Sequence, residues 1–216
     1  LEGGGFEYDD QVQDSYAGKT TGQKYFPLKS ARLHYFGGTS NHWAGYCSPF
    51  DSIDFTKRDW VPHSGWPITF EDLDPYYARA QKNLDLGPYE YGAAFWQNQD
   101  QAMKSLLPND SVVWNKIWQF SPPTRFAPKY KKDIVNSKNI HLYTYANLVD
   151  ITANENVSAI REVTVRNLAG RQHTGRARHF ARACCSIQTA RRLRAAYRQA
   201  PRGLGNDNGL VGRYFM

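Results

Sequence analysis

From residue 139 the apolar pattern changes to a period of two, and no other feature restricts the fold as much. Ile140, Leu142 and Thr144 fall on one face, with His141, Tyr143 and Tyr145 on the other. The first face is only partly apolar, so β-branched and aromatic content carries the strand assignment as much as alternation does. Leu148, Val149 and Ile151 continue the apolar run, and Val157 to Arg166 alternates again. Asn167-Leu168-Ala169-Gly170 then reads as a turn before the chain resumes toward Phe180. The pattern predicts a three-stranded antiparallel unit over about 140–152, 158–167 and 171–180.

Helical signals lie on both sides of this unit. Asp74 is expected as an N-cap with Pro75 at the first helical position, where a fixed φ and a missing N–H are harmless. Leu73, Tyr76, Tyr77, Ala80 and Leu84 would form the buried face, and Gly87-Pro88 would stop the helix. Thr69 with Asp72 would cap a separate single turn before it. A short helix is expected over about 128–137 and another over Ile187 to Ala200, with Ile187, Ala190, Leu193, Ala196 and Tyr197 inward.

Leu1 to Gly5 reads as a strand end entering a glycine turn. The next thirty residues carry too few spaced apolar side chains for a helix and read as a long excursion. Asp51 to Pro67 is irregular, aromatic and proline-bearing. Residues 89–125 contain Trp96, Trp114, Trp118 and Phe120, which either line a pocket or pack a cap domain.

Composition sets limits. Aromatic residues make up 14% of the 216, enough core material for a globular fold despite a mean hydropathy of -0.67. No run of eighteen apolar residues predicts a membrane span. Leu1-Glu2-Gly3-Gly4-Gly5 does not read as a signal peptide, and localisation stays open. Cys47, Cys184 and Cys185 form neither a disulfide framework nor a metal-spaced cluster, and the six histidines form no metal pair, so no metal site is expected.

The formal charge of +7 is uneven. Up to residue 160 there are fifteen Lys plus Arg against eighteen Asp plus Glu. From 161 onward there are twelve Arg, no Lys, and only Glu162 and Asp207. One reading is a polyanion- or nucleic-acid-binding surface. The other is a spread of arginines through strand and helix patterns: Arg161, Arg166, Arg171, Arg176 and Arg178 lack the aromatic interleaving of a nucleic-acid site. A specific nucleic-acid partner is not expected.

Residues 37–50, Gly-Gly-Thr-Ser-Asn-His-Trp-Ala-Gly-Tyr-Cys-Ser-Pro-Phe, are the strongest functional signal. Two glycines allow close backbone approach to a ligand, and a hydroxyl, an amide, an imidazole and an indole follow. Glu2 stands between an apolar residue and three glycines, as an acid does when it ends a nucleotide-binding strand and bonds a ribose. The glycine fingerprint that precedes such a strand is not within these residues.

The chain resembles the glucose-methanol-choline oxidoreductases, a family of FAD-dependent alcohol and sugar oxidases and dehydrogenases. It is most similar to the bacterial branch with sugar and sugar-acid dehydrogenases. The stretches that carry the likeness are Leu1-Glu2-Gly3-Gly4, Gly37-Gly38-Thr39-Ser40-Asn41-His42-Trp43, Asp54-Phe55 through Gly65-Trp66-Pro67-Ile68, and Pro75-Tyr76-Tyr77. Further along come Ser121-Pro122-Pro123-Thr124-Arg125-Phe126, Ala146-Asn147-Leu148, Ile187-Gln188-Thr189-Ala190-Arg191, Gly203-Leu204-Gly205-Asn206 and Leu210-Val211-Gly212-Arg213.

The resemblance implies an α/β fold: a partial FAD-binding, Rossmann-like domain, an antiparallel three-stranded unit, and part of a substrate or cap domain. It divides the chain into 1–50 (FAD-binding), 51–138 (cap) and 139–216 (return to the FAD-binding domain). It assigns Glu2 to the adenosine ribose, Gly37, Gly38, Thr39 and Asn41 to the pyrophosphate and isoalloxazine, and the Leu148 backbone to the adenine. His42 would carry the flavin covalently, touch it, or orient the loop.

The implied reaction moves a hydride from an alcohol or sugar carbon to flavin N5 while a base takes the hydroxyl proton. The family's histidine base has no counterpart here, so no catalytic residue is assigned. The likeness is to an internal part of such a protein, expected to be inactive alone and to hold FAD weakly unless another chain completes it. The electron acceptor stays open among oxygen, a quinone and a cytochrome. Two departures stand out: Cys185 replaces an expected glycine in Ala183-Cys184-Cys185-Ser186, and Arg192 and Arg194 replace apolar helix positions.

Overall fold

The computed structural model describes residues 1–22, 24–100, 102–103, 114–177, 200, 202–211 and 213. In chain order its elements are α1 (Asp10–Gln13), α2 (Leu28–Ala31), β1 (Tyr46–Cys47), α3 (Ser52–Phe55), α4 (Phe70–Asn83) and α5 (Ala93–Gln99). They continue with β2 (Gln119–Phe120), α6 (Phe126–Val135), β3 (Asn147–Ala153), β4 (Ile160–Arg166) and β5 (Gln172–Arg176). The architecture is mixed α/β with small antiparallel sheets: β1 pairs with β2, and β3-β4-β5 form the other. No helix among the described residues is long and apolar enough to cross a membrane. The chain divides into two compact units, Leu1–Asn41 with Tyr130–Met216, and His42–Lys129.

In the first unit the antiparallel sheet follows the period-two pattern. Ile151 faces Val163 across β3 and β4, and Ile151, Ala153 and Leu204 are the centre of a core that Leu148 and Ile160 flank. The Thr164 and Thr174 hydroxyls bond each other at 3.0 Å between β4 and β5. The turn after β4 closes where Asn167 N–H donates to the Arg171 carbonyl.

The first strand starts at Asn147, later than the expected 140. Residues 143–146 engage their backbone elsewhere: Glu2 N–H donates to the Tyr143 carbonyl, and Ala146 N–H to the Glu2 carbonyl, both at 2.8 Å. Tyr145, with φ of 53°, bends the chain out of extended geometry. The helix expected over 187–200 and the turn with Cys184 and Cys185 lie outside the described residues, apart from Ala200.

The turn-rich excursion after Gly5 contains a helical turn that apolar spacing does not signal. Asp9 caps α1 by accepting from Gln11 N–H at 2.8 Å, and Val12 and Gln13 are buried. The Gln13 side chain ties the excursion together. Its amide donates to the Lys29 and Arg32 carbonyls, and its carbonyl accepts His34 N–H. Polar ties do here what an apolar stripe does elsewhere.

In the second unit α4 begins five residues before the expected start. Thr69 is the N-cap, and the Thr69–Asp72 capping box opens this one long helix, with Pro75 inside it. Asp74 does not cap; its carboxylate accepts the Tyr89 hydroxyl at 2.8 Å. Tyr76 is 60% exposed, while Gln81 is buried on the inner side. The helix expected at 128–137 runs as α6 from 126 to 135.

The helix α4 stops before Gly87-Pro88. Leu86 N–H donates to the Gln81 carbonyl and Asp85 N–H to the Lys82 carbonyl, a Schellman closure with Asp85 at φ 54° where glycine is usual. The Asp85 carboxylate accepts Lys129 Nζ at 2.6 and 2.7 Å and the Thr124 hydroxyl at 2.6 Å. Those bonds, Lys129 first, hold its carboxyl below the usual carboxylate range. A depressed folded value contributes stability above the unfolded pKa, and this is lost as pH falls through the folded one. Asp85→Asn keeps a residue that tolerates positive φ. Its Tm is expected to lie below wild type at neutral pH, with the gap closing as pH drops below about 4.

Candidate functional site

Three distant segments meet in the first unit. Gly3-Gly4-Gly5 runs between residues 34–36 and residues 143–147. Phe36 N–H donates to the Gly5 carbonyl and Tyr145 N–H to the Gly4 carbonyl, both at 2.9 Å, and the Asn147 amide reaches the Gly3 carbonyl at 3.2 Å. A Cβ on Gly4 would collide with the His34 carbonyl and lie 2.8 Å from Tyr35 Cα. One on Gly5 would strike the Tyr145 hydroxyl, and one on Gly3 the His34 ring. These glycines are required by the protein's own packing.

Glu2 stands at the head of this segment, half-buried. Its Oε1 accepts Gly4 N–H at 2.9 Å, which holds the carboxylate back over the turn. Oε2 makes no hydrogen bond among the described residues. That oxygen is an unengaged acceptor at the entrance of the strand-like segment.

The loop after Phe36 is built from positive-φ glycines. Gly37 has φ of 91° and Gly38 of 54°, so the chain reverses into the 3-10 turn Gly38–Asn41. Gly38 N–H donates to the Tyr35 carbonyl at 2.7 Å, and the Ser40 hydroxyl to the Gly37 carbonyl at 2.7 Å. Asn41 is buried, and its amide donates to the Phe36 carbonyl at 3.0 Å. Asn41 therefore fixes the loop from within. Thr39 is exposed, and beside Gly38 the nearest atom to an added Cβ is the Leu33 carbonyl at 3.8 Å.

Leu148 is on β3, an edge strand, opposite Val165, with its side chain against the Ile151–Ala153–Leu204 core. His42 opens the second unit and is exposed. Its imidazole makes no hydrogen bond among the described residues. Of the residues singled out by sequence, Glu2, Gly37, Gly38, Thr39, Asn41 and Leu148 share a unit and His42 belongs to the other. Among the described residues no group of three or more His, Cys, Asp and Glu side chains is disposed to hold a metal ion.

Sequence reading missed a buried amide pair in the second unit. Gln81 Nε2 donates to Gln119 Oε1 at 2.9 Å and toward the Gly87 and Pro88 carbonyls. Gln119 Nε2 donates to the Pro88 and Glu90 carbonyls at 2.8 and 3.0 Å. The Tyr91 hydroxyl closes the group on Gln81 Oε1 at 3.1 Å. Burial, with Asp74 as a second cause, pushes the Tyr89 phenol well up, and burial raises Tyr91 as well, so both stay protonated donors.

Of the four aromatic residues in doubt, Trp96 donates its Nε1–H to the Glu90 carbonyl at 2.9 Å. Trp118 lines a concavity. Phe120 meets Tyr46 edge-to-face at 4.7 Å, and Trp114 is exposed.

Fold and geometry define a mixed α/β chain with one glycine-built loop beside an acid-headed segment. A scan of family models finds no match to the sequence, and a search of curated proteins finds none either.

Proposed function

We propose that the chain is the flavin-contacting part of an FAD-dependent oxidoreductase that acts on the CH–OH group of an alcohol or sugar. The supporting observation is the meeting of Glu2, residues 34–36 that lead into the Gly37–Asn41 loop, and the start of β3 around one glycine segment. These pieces are far apart in sequence, and the likeness to glucose-methanol-choline enzymes gives all three to one ligand.

The residues fit the adenosine half of FAD. Glu2 Oε2 is free to accept a ribose hydroxyl while Gly4 N–H steadies Oε1. Leu148 is on an edge strand. Asn41 and Ser40 shape the loop, and Gly38 leaves it open to close approach. When bound, FAD supplies a hydride acceptor at N5. The protein's part is to grip the ribose, shape the loop and keep the nucleotide in register. His42 is the candidate for a covalent link.

Calorimetric titration is expected to give weak, saturable binding of FAD and of ADP at one site. Glu2→Gln should weaken both about tenfold, the worth of one hydrogen bond to a charged acceptor. Absence of saturable binding up to millimolar nucleotide would rule the reading out. Strongly salt-dependent binding of a DNA duplex in its place would move the assignment to the polyanion alternative. Flavin absorbance that survives acid precipitation, and disappears in His42→Ala, is the signature a covalent link must give.

A further inference from the structure

The second unit carries a concavity of roughly 280 Å³ between α4, β1 with the turn after it, and the loop at 86–91. Its walls are apolar and mostly aromatic. Tyr77, Tyr89, Tyr91 and Trp118 contribute ring surface, and Ala80 of α4 and Leu84 just past its end contribute aliphatic surface. Among the described residues no Lys, Arg, Asp or Glu lines it.

The polar groups around its floor are directed into the protein. The Tyr89 hydroxyl donates to Asp74, the Tyr91 hydroxyl to Gln81, and the Ser48 hydroxyl to the Pro49 carbonyl. The Gln81 amide faces Gly87, Pro88 and Gln119. The Tyr77 hydroxyl accepts Phe50 N–H at 3.4 Å. At the mouth the balance reverses. Tyr46 and Trp118 are 61% and 52% exposed, and neither the phenol O–H nor the indole N–H is bonded among the described residues.

A floor without charge, and with the Tyr77 O–H as its one unbonded donor among the described residues, rejects ions, and it also rejects a sugar ring, most of whose hydroxyls would lose water without gaining partners. It accepts flat apolar rings, which gain from offset or edge-on contact with the walls. A dry cavity of about 150 Å³ holds benzene, so this one has room for two fused rings. The free groups at the mouth suit one small polar substituent.

We propose that this concavity binds an uncharged aromatic molecule of one or two fused rings, its rings against Tyr77, Tyr91 and Trp118 and a single hydroxyl at the mouth beside Tyr46. The site lies wholly within the second unit and does not rest on the flavin reading.

The test is titration of the whole chain with 2-naphthol, read by calorimetry and by saturation-transfer NMR. One saturable site is expected, with no displacement by methyl β-glucoside. Ala80→Phe, which fills the space from α4, should weaken binding at least about tenfold. Trp118→Ala removes a wall at an exposed position where folding is not at stake, and should weaken it at least about fivefold. If circular dichroism shows that Ala80→Phe is misfolded, Trp118→Ala decides alone. Absence of saturable binding up to the solubility limit, wild-type affinity in the folded variants, or displacement by the glucoside overturns the proposal.

Discussion

Gly4→Ala is expected to destabilise the first unit by about 3 kcal/mol, at the upper end of what an inserted methyl costs in a packed site. The new Cβ meets backbone, the His34 carbonyl and Tyr35 Cα, not a side chain that can rotate away. Neither side can yield easily. Tyr145 N–H holds the Gly4 carbonyl, and Phe36 N–H holds the next one along. Gly92→Ala is the control: it precedes α5 at φ -77°, with nothing within 4 Å of an added Cβ. It should change stability by no more than about 0.5 kcal/mol. Denaturant melts of both variants give the comparison. A Gly4→Ala protein that melts like wild type would show that the three segments do not approach as described.

The second large effect is expected at Gln81. Gln81→Met keeps the length and apolar stem of the side chain but strips three groups of a partner: the Tyr91 hydroxyl, the Gly87 carbonyl and Gln119 Oε1. Left unpaired, the buried Gln119 Oε1 and the part-buried Tyr91 hydroxyl cost about 1–3 kcal/mol each before relaxation, the exposed Gly87 carbonyl can turn to water, and a loss of about 3 kcal/mol is expected overall. Gln119→Met should cost less, because the Pro88 carbonyl keeps Gln81 and the Glu90 carbonyl keeps Trp96. The double variant should cost clearly less than the two singles together, since each single orphans an amide that the double removes. Strict additivity in a double-mutant cycle would mean that the pair is not one unit.

These two sites also show where sequence reading succeeds and where it stops. Strands β3 to β5 are legible because alternation and β-branched content are local, and the turn at Asn167–Gly170 announces itself. The start of β3 is not, because what ends the extended run is pairing with Leu1–Gly5, far away in sequence. Thr69 and Asp72 are readable as a capping box, but Pro75 draws the helix start forward. In the structure Pro75 stands inside α4, past the capped first turn, where local rules do not place a proline.

Gln81 and Gln119 are invisible for a related reason. A glutamine on a helix reads as solvent-facing until its partner, on another element, is known. In the candidate site, the loop at Gly37–Asn41 is recognisable from composition. That Gly3, Gly4 and Gly5 are demanded by His34, Tyr35 and Tyr145 needs the fold.

The first unit is assembled from two stretches of chain, while His42–Lys129 is continuous. A ribosome therefore delivers the second unit whole, and it can settle as soon as it emerges. The glycine segment finds residues 34–36 early, but its second neighbour, residues 143–147, emerges only after the whole second unit. Closing so long a loop costs entropy that rises only slowly with length, but it delays the search. The acid-headed segment with the candidate ligand contacts is thus made well before the residues that complete its pairing. Loss of the late-arriving β3 would leave it unfolded while the second unit stands.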